Sequence, residues 1–162
     1  MRKNFGAHAS IYPQPVFILA AYGEDGTTCA MNAAWGGISD DQELSFCVSP
    51  SQRTVKDLLA RGAFTVSMGT AEQVVACDYV GLVSGNQVPD KFARAGFHAT
   101  KSEFVDAPCI DELPIAVSCR VVSYDPESCR LVGEIVNGSV DEAYLTPEGK
   151  VDVDKVAPIT YD

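Results

Sequence analysis

Residues 49–56 have the composition of an anion-binding turn. This polar stretch, with a proline at its second position, leaves a predicted strand and enters a predicted helix. The first N–H groups of a helix have no partner inside it and lie at the positive end of its dipole, which favours a phosphate. Ser49, Ser51 and Thr54 add hydroxyl groups, and Arg53 offers a charged fork. From the residues alone, an ordinary strand-to-helix connection capped by Thr54 remains an alternative.

Small residues beside an aromatic ring mark a second candidate segment, residues 31–36. Ala33 and Ala34, at the end of a predicted strand, allow a flat ring to approach the backbone closely. Backbone amides and the Asn32 side chain can then hydrogen-bond the edge of a heteroaromatic ring. The alternative is that the two alanines pack tightly inside a barrel and Trp35 fills its core.

A third candidate segment covers residues 77–92. Ser84 and Gly85 begin a turn with exposed amides, and Lys91, at the start of a predicted helix, can reach a phosphate. The alternative is a loop followed by a solvated helix start. The chain contains no glycine-rich nucleotide motif, no zinc-protease motif and no nucleophile elbow, so we expect a cofactor to supply any difficult chemistry.

Charge and hydropathy exclude several classes of protein. The formal net charge is -10, and the 12 lysines and arginines form no basic run, so we expect no nucleic-acid partner. No apolar run approaches the roughly 20 residues of a membrane helix. The apolar run at residues 15–21 is short and is followed by no signal-peptidase site. We therefore expect a cytoplasmic protein that does not enter a membrane.

The cysteines give no sign of a metal site or of a disulfide framework. Six cysteines and two histidines are present, but no two cysteines form a C-x-x-C pair and no zinc-ligand spacing occurs. Most of the cysteines lie in or beside predicted strands, where a free thiol behaves as a small apolar group. We expect reduced core thiols, no bound metal, and no redox role for Cys77.

The elements that must position the three segments are mainly strands. The pattern predicts strands at residues 14–22, 28–35, 43–48, 63–68, 115–124 and 130–140. Helices are predicted to begin near Thr54 and Thr70 in capping-box patterns, and near Pro89, with glycine stops at Gly62 and Gly96. The irregular alternation favours a mainly antiparallel barrel with short helices over a doubly wound parallel sheet.

The order of these motifs resembles the flavin reductase-like, FMN-binding split-barrel family, which includes the flavoredoxins. The resemblance extends over nearly the whole chain, and each motif is weak by itself. The matching motifs are Tyr12-Pro13-x-Pro15-Val16, Asn32-Ala33-Ala34-Trp35, residues 49–59, Asp78-Tyr79-x-Gly81-x-x-Ser84-Gly85, Asp90-Lys91-Phe92, Ala107-Pro108, Leu113-Pro114 and Gly133-Glu134-Ile135-Val136.

This resemblance implies a single domain over residues 1–162, folded as a six-stranded antiparallel split barrel, and a homodimer with FMN near the subunit interface. It places the phosphate on Ser49, Ser51, Arg53, Thr54 and Lys56. It places the isoalloxazine on Asn32, Ala33, Ala34 and Trp35, and the remaining edge on Ser84, Gly85 and Lys91.

The resemblance also implies an oxidoreductase that passes hydride or electrons from NADH, NADPH or a redox protein through FMN. No side chain is assigned as an acid or base, because the flavin N5 supplies the chemistry. Three alternatives stay open: a pure electron carrier without nicotinamide turnover, a flavin- or haem-binding module without catalysis, and an interaction domain with an empty pocket.

Overall fold

The computed structural model describes all 162 residues of the chain. The strands are β1 (Gln14–Pro15), β2 (Phe17–Tyr22), β3 (Thr28–Ala33), β4 (Gly36–Asp40), β5 (Glu43–Cys47), β6 (Ala63–Met68), β7 (Ala99–Lys101), β8 (Pro108–Ile110), β9 (Ile115–Asp125), β10 (Arg130–Val140) and β11 (Thr160–Tyr161). The helices are α1 (Arg53–Arg61), α2 (Val74–Leu82), α3 (Lys91–Arg94) and α4 (Val153–Val156), with a 3-10 turn at Glu142–Tyr144. None of the helices is both long and apolar enough to cross a membrane.

The main sheet is antiparallel throughout and curls into a split barrel. Its strand order is β3-β2-β6-β9-β10-β5-β4, which places β3 and β4 at opposite edges. Only Ala34 and Trp35 separate these two strands along the chain. Because three peptide steps span at most about 11 Å, the two edges must lie close together, and the sheet must be curved. The mainly β, split-barrel prediction is confirmed.

The sheet contains seven strands, one more than expected. The predicted strand at residues 28–35 ends at Ala33, and the chain then crosses to the far edge of the sheet. There Gly36–Asp40 pairs with β5 in a short hairpin. Its two glycines and its acidic end carry little strand propensity, so no strand was predicted for this segment. Pairing with β5, a tertiary contact, makes it a strand.

Two apolar cores lie on the two faces of the sheet. The barrel interior holds Leu19, Met31, Phe46 and Phe64, all buried. The outer core packs Ile18, Ala20 and Ala30 against side chains from α2, α3 and the β8 region. Successive residues of a strand point to opposite faces, so a strand buried on both sides is apolar at every position. This explains the unbroken apolar run of β2.

Helix α1 places its N-terminus beside the end of β3. Its fully buried Val55 and Leu58 hold it against β2 and β3, and it ends at Gly62, whose φ is 68°. The predicted stop is confirmed, but the capping box is wrong. The helix starts one residue early, with Gln52 at the cap position and no side chain capping it. Asp57 bonds Arg53 instead.

Two other predicted features differ in detail, and one strand was not predicted. Thr70 Oγ1 accepts a hydrogen bond from Gln73 N at 3.3 Å, as a cap would, but α2 begins only at Val74. The third helix is shorter than predicted, although Gly96 follows it with a φ of 85°. The C-terminal strand β11 pairs with β1, a long-range contact that no local pattern indicated.

All six cysteines are free. Cys29, Cys77 and Cys119 are buried, whereas Cys47 is exposed and the other two are half-buried. Burial raises the pKa of the Cys77 thiol, and raises that of Cys119 to about 12. A thiol held in its protonated form is a poor nucleophile.

Candidate functional site

A cavity of about 190 Å³ lies where the end of β3, the start of α1, the end of α2 and the start of α3 meet. The structure brings six of the predicted site residues together around it, from all three candidate segments. These six are Asn32, Arg53, Thr54, Ser84, Gly85 and Lys91. The cavity is also lined by Met31, Gln52 and residues 80–83, which lie within the three candidate segments but were not assigned to the ligand.

One end of the cavity is the free N-terminus of α1. No side chain caps this nine-residue helix, so the amides of its first turn keep their hydrogen-bonding capacity. The preceding loop is held in a tight turn by Ser49 Oγ and Ser51 Oγ, which lie 2.8 Å apart. Asn86 Nδ2 donates to Ser51 O at 3.0 Å and ties the third segment to this loop. The geometry suits an anion with several oxygen atoms.

Arg53 is held at this end by two carboxylates. Its Nε donates to both oxygens of Asp57, at 2.8 and 2.9 Å, and Nη2 lies 4.0 Å from Asp25 Oδ1. The bond to Asp57 raises the pKa of the guanidinium. Asp57 occupies only Nε and the contact of Nη2 with Asp25 is long, so the terminal nitrogens can still donate to an anion, which would compete with Asp25 for Nη2.

Lys56 lies outside this cavity. It lines a neighbouring groove of about 360 Å³ together with Arg53 and the acidic residues Glu24, Asp25 and Asp57. Arg53 is therefore the residue common to the cavity and the groove. The Arg53 side chain would therefore lie between Lys56 and an anion bound in the cavity.

Thr54 faces the protein interior rather than the ligand side. It is buried, and its Oγ1 donates to Cys29 Sγ at 3.2 Å. Its hydroxyl is used inside the fold, so only its backbone amide is free for an anion. Gly85 packs closely against Cys29 and Arg53. A Cβ at this position would lie 2.8 Å from Cys29 Sγ and 3.1 Å from Arg53 Cβ. The close approach of this loop therefore requires glycine.

Lys91 lines the cavity as a buried cation. Its side chain is 3% exposed, and Nζ donates to the carbonyl oxygens of Val80 at 2.7 Å and Val83 at 2.8 Å. No carboxylate pairs with it, and burial lowers the pKa of its ammonium group. Two of its three N–H groups stabilise the end of α2, which leaves one for a ligand.

Asn32 carries the strongest sign of a missing partner. Its side chain is pressed against Gly81, where any Cβ would overlap the amide group. Its Oδ1 is buried and has no hydrogen-bond partner. An unpaired buried acceptor costs about 1–3 kcal/mol, so a donor from a ligand is the natural complement. The N–H group of a flat heteroaromatic ring meets this requirement.

Two clefts of about 370 and 290 Å³ adjoin the cavity through Asn32. Ala33 and Ala34 line the smaller cleft, together with Leu82 and Tyr161. The Tyr161 contribution depends on the pairing of β11 with β1, so no local pattern indicated it. The clefts are mainly apolar and continue along β3, as a site for a flat ring requires.

Trp35 does not fill the core, so that alternative is wrong. Its side chain is 62% exposed and faces a separate groove beside β4. Ala33 is buried in the barrel core, in agreement with the packing alternative, while Ala34 is half-buried on the cleft side. Thus Ala34 faces the cleft, whereas the indole of Trp35 lies in the separate groove.

The comparisons with known proteins show the family of this chain. The family model described as "Flavin reductase like domain" matches residues 9–155. Flavoredoxin of Desulfovibrio vulgaris (Miyazaki F) is 34% identical over 99% of this chain and 88% of its own, with a TM-score of 0.93. Flavoredoxin from Methanosarcina acetivorans is 29% identical over 100% and 87% of the two chains, with a TM-score of 0.88.

A more distant likeness concerns the fold alone. An FMN-binding domain of a flavin reductase-like enzyme from Shewanella baltica is 18% identical, with a TM-score of 0.76 over 90% of this chain and 77% of its own. The search of curated protein sequences returned no match.

Proposed function

This chain belongs to the flavin reductase-like family, and on that premise we propose that it is an FMN-binding oxidoreductase. It takes hydride or electrons from NADH, NADPH or a redox protein. The observation that carries the proposal is the buried, unpaired Oδ1 of Asn32, which lies on a cavity whose other end is an uncapped helix N-terminus. We also propose that residues 1–162 form one domain, that the protein is a cytoplasmic homodimer, and that it uses no metal.

The residues fit FMN from one end to the other. The first-turn amides of α1 and the terminal nitrogens of Arg53 would hold the phosphate, with Ser49 and Ser51 shaping the loop. Gly85 and Lys91 would border the ribityl chain. Asn32, on β3, would accept a hydrogen bond from a ring N–H. Lys56 contributes at longer range through its positive charge, and Ser84 lines the wall.

FMN, when bound, supplies the hydride and electron chemistry, and the protein supplies binding and orientation. The apolar clefts exclude water from one side of the ring site. Lys91, a buried cation without a carboxylate partner, lowers the cost of placing negative charge in the cavity. These roles need no acid or base among the side chains.

The likeness to flavoredoxins supports one second candidate, an electron carrier that does not turn over nicotinamide. The absorbance spectrum of the freshly purified protein tests both functions. We expect a flavin spectrum, either as purified or after addition of FMN. Under argon, bleaching by NADH or NADPH identifies the oxidoreductase, whereas bleaching by dithionite alone identifies the carrier. A haem spectrum, or a protein that stays colourless with FMN, contradicts the proposal.

Replacing Asn32 with alanine is expected to weaken FMN and riboflavin equally, about three- to tenfold, because one hydrogen bond to the ring contributes about 0.5–1.5 kcal/mol. Both flavins carry the same ring, so the phosphate plays no part in this loss. Quenching of flavin fluorescence measures both dissociation constants. Asn137→Ala, in β10, is the matched control and should leave both constants unchanged. A loss confined to FMN would place Asn32 at the phosphate instead.

A further inference from the structure

The largest cavity of the molecule lies outside the proposed flavin cavity. It is a groove of about 500 Å³ between the N-terminal segment and the edge formed by β4, β5 and the start of β10. We call it the Trp35 groove. The residues that matter for its chemistry are Ile11, Tyr12, Trp35, Phe46, Cys47 and Arg130.

Aromatic rings form the walls of the Trp35 groove. Trp35 is 62% exposed and Tyr12 is 52% exposed, an unusual amount of bare aromatic surface to find around one groove. The buried ring of Phe46 forms its floor and is pressed against Gly36, where a Cβ would overlap the ring. Large apolar surfaces gathered around one concave space favour a flat, apolar ligand.

One cation, Arg130, lines the Trp35 groove without an anionic partner. Arg130 is the only charged residue among those that line the groove, and it forms no salt bridge. Asp125 lies opposite Arg130 in the register of β9 and β10. Its carboxylate, however, accepts from Ser128 Oγ and Glu127 N and forms no salt bridge with Arg130. The guanidinium fork is therefore free for an anionic group.

We propose that the Trp35 groove binds a planar aromatic carboxylate. The ring lies against Trp35 and Tyr12 over Phe46, and the carboxylate accepts from Arg130. Trp35 also ends the strand segment assigned to the isoalloxazine. If the proposed function holds, the bound carboxylate represents the substrate class of the oxidoreductase. Binding itself depends only on the groove and does not require FMN.

The only tryptophan of the chain makes the test direct. In the ¹⁵N-labelled full-length protein, a single indole N–H resonance reports Trp35. We expect saturable shifts of this resonance with 2-naphthoate, and at least fivefold weaker binding of the neutral 2-naphthylmethanol. In Arg130→Gln the two ligands should bind equally. Arg120→Gln, which removes an arginine paired with Glu134 on the same sheet, should keep the preference for the carboxylate.

Several outcomes would overturn the proposal: no saturable indole shift, equal affinities in the unaltered protein, or a carboxylate preference that survives Arg130→Gln. An indole resonance that shifts with protein concentration alone, and no longer responds to naphthoate, would show that a second copy of the chain fills the groove. FMN binding, measured on the same samples, reports the proposed function separately. The protein can therefore bind FMN without binding the aromatic carboxylate in the Trp35 groove. It can also bind the carboxylate without binding FMN.

Discussion

Replacing Arg53 with alanine is expected to weaken FMN binding about ten- to hundredfold and to leave riboflavin binding nearly unchanged. A hydrogen bond to a charged group contributes about 1.5–3 kcal/mol, and only FMN carries the phosphate. Asp57, which bonds Arg53 Nε, would then face the phosphate without a neutralising partner, and this adds to the loss. The dissociation constants of both flavins, measured by fluorescence quenching, give the two effects.

Arg120→Ala is the control for this experiment, because Arg120 is an exposed arginine paired with Glu134 and remote from the cavity. It should change neither flavin constant. The double variant Arg53→Ala with Asp57→Asn separates the two contributions, since it also removes the uncompensated carboxylate. Equal losses of FMN and riboflavin in Arg53→Ala would contradict the placement of the phosphate at α1 and would indicate general damage to the cavity.

Replacing Leu58 with alanine is expected to lower the free energy of unfolding by about 2–5 kcal/mol, the range for large-to-small changes in a core. Leu58 is fully buried in the barrel interior and attaches α1 to the sheet. The adjacent Leu59 is 38% exposed and offers a matched control of identical chemistry. Denaturant unfolding of the FMN-free protein measures both variants.

Leu59→Ala should lose far less stability than Leu58→Ala, because most of the cost arises from the cavity left inside a packed core. A second consequence concerns the site: when α1 is loosened, its N-terminal amides are less well oriented. FMN binding should therefore weaken in Leu58→Ala more than in Leu59→Ala. Similar losses of stability in the two variants would mean that α1 does not pack on the barrel as described.

Local patterns predicted six of the seven strands of the main sheet and the stop of α1, because their causes lie within a few residues. The run of β2 reflects burial on both faces, and Gly62 ends α1 because glycine adopts a positive φ without strain. The start of α1 was predicted one residue late. The Thr54 hydroxyl that would have capped the helix turns inward to Cys29, a residue far away in the sequence.

The site was only partly accessible to the same reasoning. The turn before α1 was recognisable because a strand, a polar loop and a helix are neighbours in sequence. The contribution of Tyr161 was not, since it depends on pairing between the two ends of the chain. The exposure of Trp35 was not recognisable either, because an aromatic residue after two alanines has the same local pattern whether it lies in a core or at a groove.

The amino-acid sequence by itself determined the mainly β architecture, the family resemblance and the segments able to meet an anion and a flat ring. These depend on side-chain periodicity and on short motifs. The tertiary structure alone decided that Asn32 has an unpaired buried acceptor, that Lys91 is a buried cation and that Asp57 binds Arg53 only through Nε. Each of these depends on which distant groups the curled sheet brings within hydrogen-bonding distance, and on which it leaves apart.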